Sequence, residues 1–373
     1  VTVIWSESFD LFGNLNDYAA KYSEHTTSPG GFNTSSWFNV ATGRFGSGSA
    51  ANFGGATGSG SATSYSYVGG SLGSDYPTLF FGFAINPRAV DTGGYPFFWA
   101  NDRSGNLEIE IRLTGAGNLT PYVTCNSTVL CTSTTALTML NWTYIELAVN
   151  ISPTAGWCEL WMNNVLTASY YGVGSSRGSA TGNVVGGLSS GIRTFHIGEY
   201  PKGSSAGTHD YYFDDLYVCN NVGSINTDLL GDVRVASLLP SGAGALNDWS
   251  RGGTDSGANY SQVDEGAYNA DTDYVRSNTI GATDTYVYPD LPAAAASVKA
   301  VVAQFVGRRD DAGARSVQAV VRQSGTNSLS PGVANMSASY TSAQLVMDVN
   351  PATGLAWNVS EVNGDEFGLR ISA

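Results

Sequence analysis

Charge is scarce in this chain. Only 13% of its 373 residues are Asp, Glu, Lys or Arg, about half the share usual in a soluble domain. Basic residues are the scarcest, 17 against 31 acidic ones, which leaves a formal net charge of −14. Such a surface repels phosphate, so no nucleic-acid partner is expected. No apolar run approaches the roughly 20 residues of a membrane-spanning helix, so no membrane insertion is expected either. The three His residues (His25, His196, His209) stand far apart, and the four Cys form no CxxC pair. That excludes the usual zinc spacings. Val1 opens directly on strand-like sequence, without a basic or apolar leader. The expectation is a chain that is cytoplasmic, that has already been processed, or that is made in a cytoplasm without a signal peptide and released by lysis.

Long amphipathic helices are missing too. In their place stand 46 Gly and many Ser, Thr and Asn, residues that suit tight turns between short strands. Period-two alternation recurs throughout. Leu79, Phe81, Phe83 and Ile85 share one face of Thr78–Asn86. Leu107, Ile109, Ile111 and Leu113 do so in Asn106–Leu113, and Ile145, Leu147, Val149 and Ile151 in Trp142–Ile151. Tyr212, Leu216 and Val218 have common parity in the run YYFDDLYV, which places Asp214 with them, toward a core. Asn163-Asn164 suits a hairpin turn. The Gly- and Ser-rich stretch Gly46–Gly73 reads as two short strands and a loop. A turn-rich connector follows Asn220, and a second strand series then begins with DVRVASLLP and SQVDE. The predicted architecture is all-β. It has two consecutive antiparallel sandwiches over residues 1–220 and 233–373, joined by a connector at 221–232.

The order SESFD, GRFGSGSAANF, TLFFGFAIN, NLEIEIRL, LNWTYIELAVNISPTAGWCELWMNNVL and YYFDDLYV resembles concanavalin A-like lectin/glucanase domains. The later run DDLYVCNNVGSINTDLLGDVRVASLLPSGAGALNDWSRGG, with NYSQVDE and DYVRSNTIGATDTYVYPDL, resembles virion structural proteins of tailed bacteriophages. That second resemblance implies a non-enzymatic protein on a virion surface, extracellular after release. Its partners would be other virion proteins, copies of itself and host surface glycans. A secreted carbohydrate-binding module and a polysaccharide-degrading enzyme are the alternatives.

Three groups of residues carry possible chemistry. Glu108 and Glu110 share a strand face, opposite Ile109 and Ile111. Glucanases of the resembled fold use three alternating acids, of which the outer two act as nucleophile and general acid. Here the alternation runs Asn106, Glu108, Glu110, Arg112. An Arg does not give up its proton, so that three-acid chemistry is not expected, and a solvated face with a Glu–Arg pair is. Asp214 and Asp215, with Glu7 and Asp10 of the resembled N-terminal strand, are candidate ligands for a structural Ca²⁺, which prefers oxygen donors. The other reading of Asp214 is a loop cap held by backbone N–H groups. Tyr95, Trp99, Tyr122, Tyr144 and Trp161 are candidates for stacking on sugars. Cys125 and Cys131 flank NSTVL and either close a small disulfide loop or remain buried thiols, as Cys158 and Cys219 do in their strands.

Overall fold

A computed structural model describes residues 2–11, 21–22, 24–28, 38–56, 65–90, 95–115, 117–187, 191–199, 208–254, 256–266 and 269–373. Two antiparallel sheets are built from the first 220 residues. Sheet A runs in spatial order β13 (Val165–Tyr170), β12 (Ser152–Met162), β11 (Thr143–Asn150), β6 (Thr78–Ala89), β16 (Thr208–Asn220), β4 (Ser49–Ala56) and β3 (Phe38–Thr42). Strand β1 (Val3–Glu7) pairs with β16, and β14 (Gly182–Val184) with β12. Sheet B runs β10 (Thr128–Thr132), β9 (Pro121–Cys125), β8 (Leu107–Leu113), β7 (Pro96–Asn101), β15 (Ile192–Gly198), β5 (Tyr65–Tyr76) and β2 (Glu24–Ser28). The Gly46–Gly73 stretch supplies β4 and the start of β5, as predicted; the loop between them lies outside the described residues.

The alternating apolar residues do what their period requires. Phe81, Phe83, Ile109, Ile111, Ile145, Leu147 and Val149 are fully buried in one core between the two sheets. Bulges break the alternation in several strands. In β16 the register against β6 slips between Asp214 and Tyr217, where Asp215 takes the left-handed φ of 54°. An extra residue at a bulge reverses which face the next side chains point to. Tyr211 and Phe213 therefore join Leu216 and Val218 in the core. The parity reading that turned Asp214 and Tyr212 inward is thus corrected. In β7 a slip between Pro96 and Phe98 puts both Phe97 and Phe98 in the core and leaves Trp99 on the outer face of sheet B.

The second half carries a six-stranded sheet C. Its order is β17 (Gly242–Asn247), β20 (Thr283–Val287), β26 (Glu366–Ile371), β22 (Ser316–Gln323) and β23 (Thr326–Leu329), with β24 (Ala334–Asn335) beside β22. Two-stranded ribbons β18 (Ser250–Gly253)–β19 (Asp273–Arg276) and β21 (Val301–Gly307)–β25 (Thr341–Met347) complete it. A short α-helix, α1 (Val359–Gly364), precedes β26. The expected strand over DVRVASLLP does not form, because that segment gives its hydrogen bonds to side chains of the first half. Val235 N–H donates to Asp215 Oδ1 at 2.8 Å. SQVDE likewise enters a short 3-10 turn, Asn259–Gln262, rather than a strand.

Ribbon β21–β25 packs on both of its faces. Val301, Ala303, Phe305, Leu345 and Met347 meet Ala319 and Val321 of sheet C. Val302 and Val346 meet Phe80, Tyr144, Trp157 and Tyr217 on the outer face of sheet A. Trp142 and Trp157 lie in this contact between halves rather than between sheets A and B.

Candidate functional site on the outer face of sheet B

The side chains of sheet B that point away from the core form a polar row across adjacent strands. Gly69 on β5 faces His196 on β15; His196 faces Trp99 on β7; Trp99 faces Glu110 on β8; and Glu110 faces Thr124 on β9. The His196 and Trp99 rings stack at 4.8 Å with an interplanar angle of 4°. Tyr67 meets both rings edge-on, at 5.0 Å from Trp99 and 5.4 Å from His196. Gly69 makes this possible, since a Cβ there would stand 2.3 Å from His196 Cδ2.

An outer sheet face is ordinarily solvated, yet this one is buried. Glu108 is 0% exposed, Glu110 1%, His196 1% and Trp99 2%. The expectation of a solvated face is corrected, although the Glu–Arg pair it included is present. Arg112 Nη1 lies 3.1 Å from Glu110 Oε1, and Thr124 Oγ1 donates to the same oxygen at 2.7 Å. Glu108 is held differently. Its Oε2 accepts from the N–H groups of Gly186 at 2.8 Å and Gly187 at 3.3 Å. Its Oε1 is buried without a hydrogen-bond partner. Burial pushes the Glu108 carboxyl above its usual range, and the neighbouring Asp102 charge adds to the rise; the two glycine N–H groups oppose it. The two carboxyls therefore differ: one is paired with a guanidinium, the other is biased toward its protonated form. Partly exposed Tyr67, Arg112 and Tyr122 border the row.

The other predicted site residues go elsewhere. Tyr144 and Trp161 lie on the outer face of sheet A. There the Tyr144 hydroxyl donates to the Asp215 carbonyl at 3.1 Å, and Trp161 Nε1 donates to Glu159 at 3.1 Å. The Tyr95 ring packs edge-on against His209 at 4.7 Å. The five aromatic candidates thus make no single platform; Trp99 and Tyr122 alone share the outer face of sheet B.

Each of the four candidate calcium ligands already has a protein partner. Glu7 is taken by Lys21, whose Nζ lies 2.5 Å from Glu7 Oε2 with both side chains 3% exposed. Asp214 accepts from the Arg44 N–H at 2.7 Å and the Asp215 N–H at 2.9 Å. Asp10 accepts from the Ser49 N–H at 2.8 Å. These are loop caps, and among the described residues no group of three or more His, Cys, Asp or Glu is arranged to hold a metal ion. Burial and mutual repulsion push Asp214 up, and burial pushes Asp215 up. All four Cys are free thiols, so Cys125 and Cys131 do not close a loop in this structure.

Sequence reasoning found Glu108, Glu110, Arg112, Trp99 and Tyr122 separately. It missed His196, Tyr67 and Thr124, because only the strand register brings them into the row.

No family model and no curated protein matches the chain. Solved structures do. The catalytic domain of a glycoside hydrolase family 131 protein from Coprinopsis cinerea is 18% identical, with a TM-score of 0.40 over 62% of this chain and 99% of that one. A Bacillus licheniformis beta-glucanase is 12% identical, with a TM-score of 0.37 over 59% and 99%. Alginate lyase vAL-1 from Chlorella virus is 12% identical, with a TM-score of 0.38 over 58% and 99%. Sheets A and B themselves form an antiparallel β-sandwich around one core. One expectation is corrected by these findings. The non-enzymatic reading gives way, since the matched structures include glycoside hydrolase catalytic domains. The resemblance of the second half to virion proteins finds no support in the comparisons.

Proposed function

We propose that the outer face of sheet B binds a polysaccharide and cleaves its glycosidic bonds. One observation carries this reading: two carboxyls are buried two residues apart on one strand face, one desolvated with a free oxygen and the other ion-paired to a guanidinium. Glycoside cleavage needs one carboxyl group that can give a proton to the leaving oxygen and one that stays ionised. Glu108, desolvated and with a free Oε1, is the donor. Glu110, ion-paired to Arg112, is the carboxylate. Buried titratable groups of this kind concentrate at functional sites. Tyr67 and Tyr122 supply rings at the border on which a sugar face can rest. This pair differs from the three-acid arrangement, whose outer positions Asn106 and Arg112 occupy here.

The test is release of reducing ends from a panel of neutral and acidic polysaccharides. Glu108→Gln and Glu110→Gln are each expected to lower the rate by roughly 10²–10⁴-fold with the fold intact. Absence of release by the native chain across the panel, or full activity of both variants, would overturn the proposal.

A further inference from the structure

The Sγ atoms of Cys131 and Cys158 stand 3.8 Å apart. They belong to different sheets: Cys131 is on β10 at the edge of sheet B, and Cys158 is on β12 of sheet A. The sandwich closes along this edge. Thr134 N–H donates to the Thr167 carbonyl at 3.0 Å, and Ser133 Oγ lies 3.4 Å from Met162 Sδ. We infer that Cys131 and Cys158 are a modification site, at which oxidation forms a disulfide that staples the two sheets together.

Access decides the order of events. Cys131 is partly exposed, whereas Cys158 is fully buried. A thiolate is the attacking species in disulfide exchange. The neighbouring Cys131 thiol and burial hold Cys158 protonated, and Cys131, the more accessible of the two, reacts first. Its sulfur attacks a low-molecular-weight disulfide such as oxidised glutathione, and one thiol leaves. The Cys158 sulfur then displaces the second thiol. Two protein thiols and one small disulfide become one protein disulfide and two small thiols, with no other reductant or oxidant needed. Cys125 is a poor competitor. It sits one strand over on β9 in the sandwich core, and burial pushes its thiol up to about 12.

The staple has a local consequence. Strand β10 pairs with β9, which carries the Thr124 hydroxyl that donates to Glu110. Fixing β10 to sheet A therefore fixes the border strand of the polar row. A closed loop of this length is worth several degrees of melting temperature, roughly 5–10 °C for a domain of this size.

The experiment is incubation of the native chain with oxidised glutathione, followed by thiol counting in denaturant and a thermal melt. Four thiols are expected before treatment and two after, with the rise in melting temperature given above. Cleavage after Trp142 and Tyr144, between the two positions, should leave a cross-linked peptide pair under non-reducing conditions. Cys125→Ser should keep both the cross-link and the rise. Cys131→Ser, at the partly exposed position, should lose both, which keeps the test open if Cys158→Ser folds poorly. Four thiols persisting after treatment would overturn the inference. So would a cross-link that survives Cys131→Ser or disappears with Cys125→Ser.

Discussion

Glu108 and Glu110 are separated by one residue, yet what touches them differs completely. Glu108 meets two backbone N–H groups and a nearby carboxylate, while Glu110 meets a guanidinium and a hydroxyl. If Glu108 is the proton donor, the falling, alkaline limb of the pH–rate profile belongs to it and lies above the ordinary carboxylate range, because its pKa is raised. Glu108→Gln should remove that limb as well as slow the reaction, which a purely structural loss would not do. Asp214 and Asp215 give a stability test. Both are raised from 3.8, Asp214 to about 8. A carboxyl raised on folding keeps its proton in the native state while the unfolded chain has already released it. Stability is therefore highest below the unfolded value and falls as pH rises through the folded one. In a chelating buffer the melting temperature should decline between about pH 4 and pH 8, and Asp214→Asn should flatten the decline. A melting temperature that rises across this window would contradict the buried-pair account. Lys21 offers a sharper loss. Glu7→Gln removes the carboxylate from an ammonium that is only 3% exposed, and breaking such a pair should cost about 3–5 kcal/mol in a denaturant melt.

Single elements show how far the sequence could be read. The β12–β13 hairpin was legible because Asn163-Asn164 tolerates the left-handed conformation, and the structure has φ of 49° and 65° there. Asn164→Ala should destabilise by about 1–2 kcal/mol, since an alanine in that region meets its own carbonyl; Asn164→Gly should restore most of the loss. The Asn164 side chain also accepts from the Asp232 N–H at 2.7 Å, so the glycine variant will not be fully native. Strand β16 was legible as a strand and illegible in its facing. Nothing in YYFDDLYV marks the slip at Asp215, because a bulge is a pairing event between strands. The same limit applies to the polar row. Carboxylates two apart on β8 could be seen in the chain, whereas His196 and Trp99 stand 97 positions apart in the numbering and meet only through pairing register. The segment DVRVASLLP failed in the opposite sense. Its apolar alternation is real, but the surface it satisfies lies across the contact with the first half.

The two halves behave as one packed body along that contact. The outer face of sheet A presents Phe80, Ala84, Tyr144, Ala148 and Tyr217, an apolar surface covered by Leu229, Leu230, Val302 and Val346. The connector is tied down as it passes. Leu230 N–H donates to the Tyr217 hydroxyl at 2.9 Å, Gly231 N–H to Glu146 at 2.8 Å, and Arg177 Nη1 lies 2.8 Å from Asp228. Neither half should therefore unfold independently of the other, and the native chain is expected to melt in one transition despite its two sets of sheets. Val302, partly buried within the contact, tests this. An aspartate there buries an unpaired charge against apolar side chains, which costs several kcal/mol unless the surfaces separate. Val302→Asp should split the melt into two transitions and speed proteolysis at 222–228, where the connector is partly exposed. The polysaccharide cleavage proposed for the polar row should survive, since that row lies on sheet B, on the other side of the sandwich. A variant that keeps one transition at the native temperature would show that the contact contributes little to cooperativity. Loss of activity with sheets A and B still folded would show that the second half reaches the site by a route other than this interface.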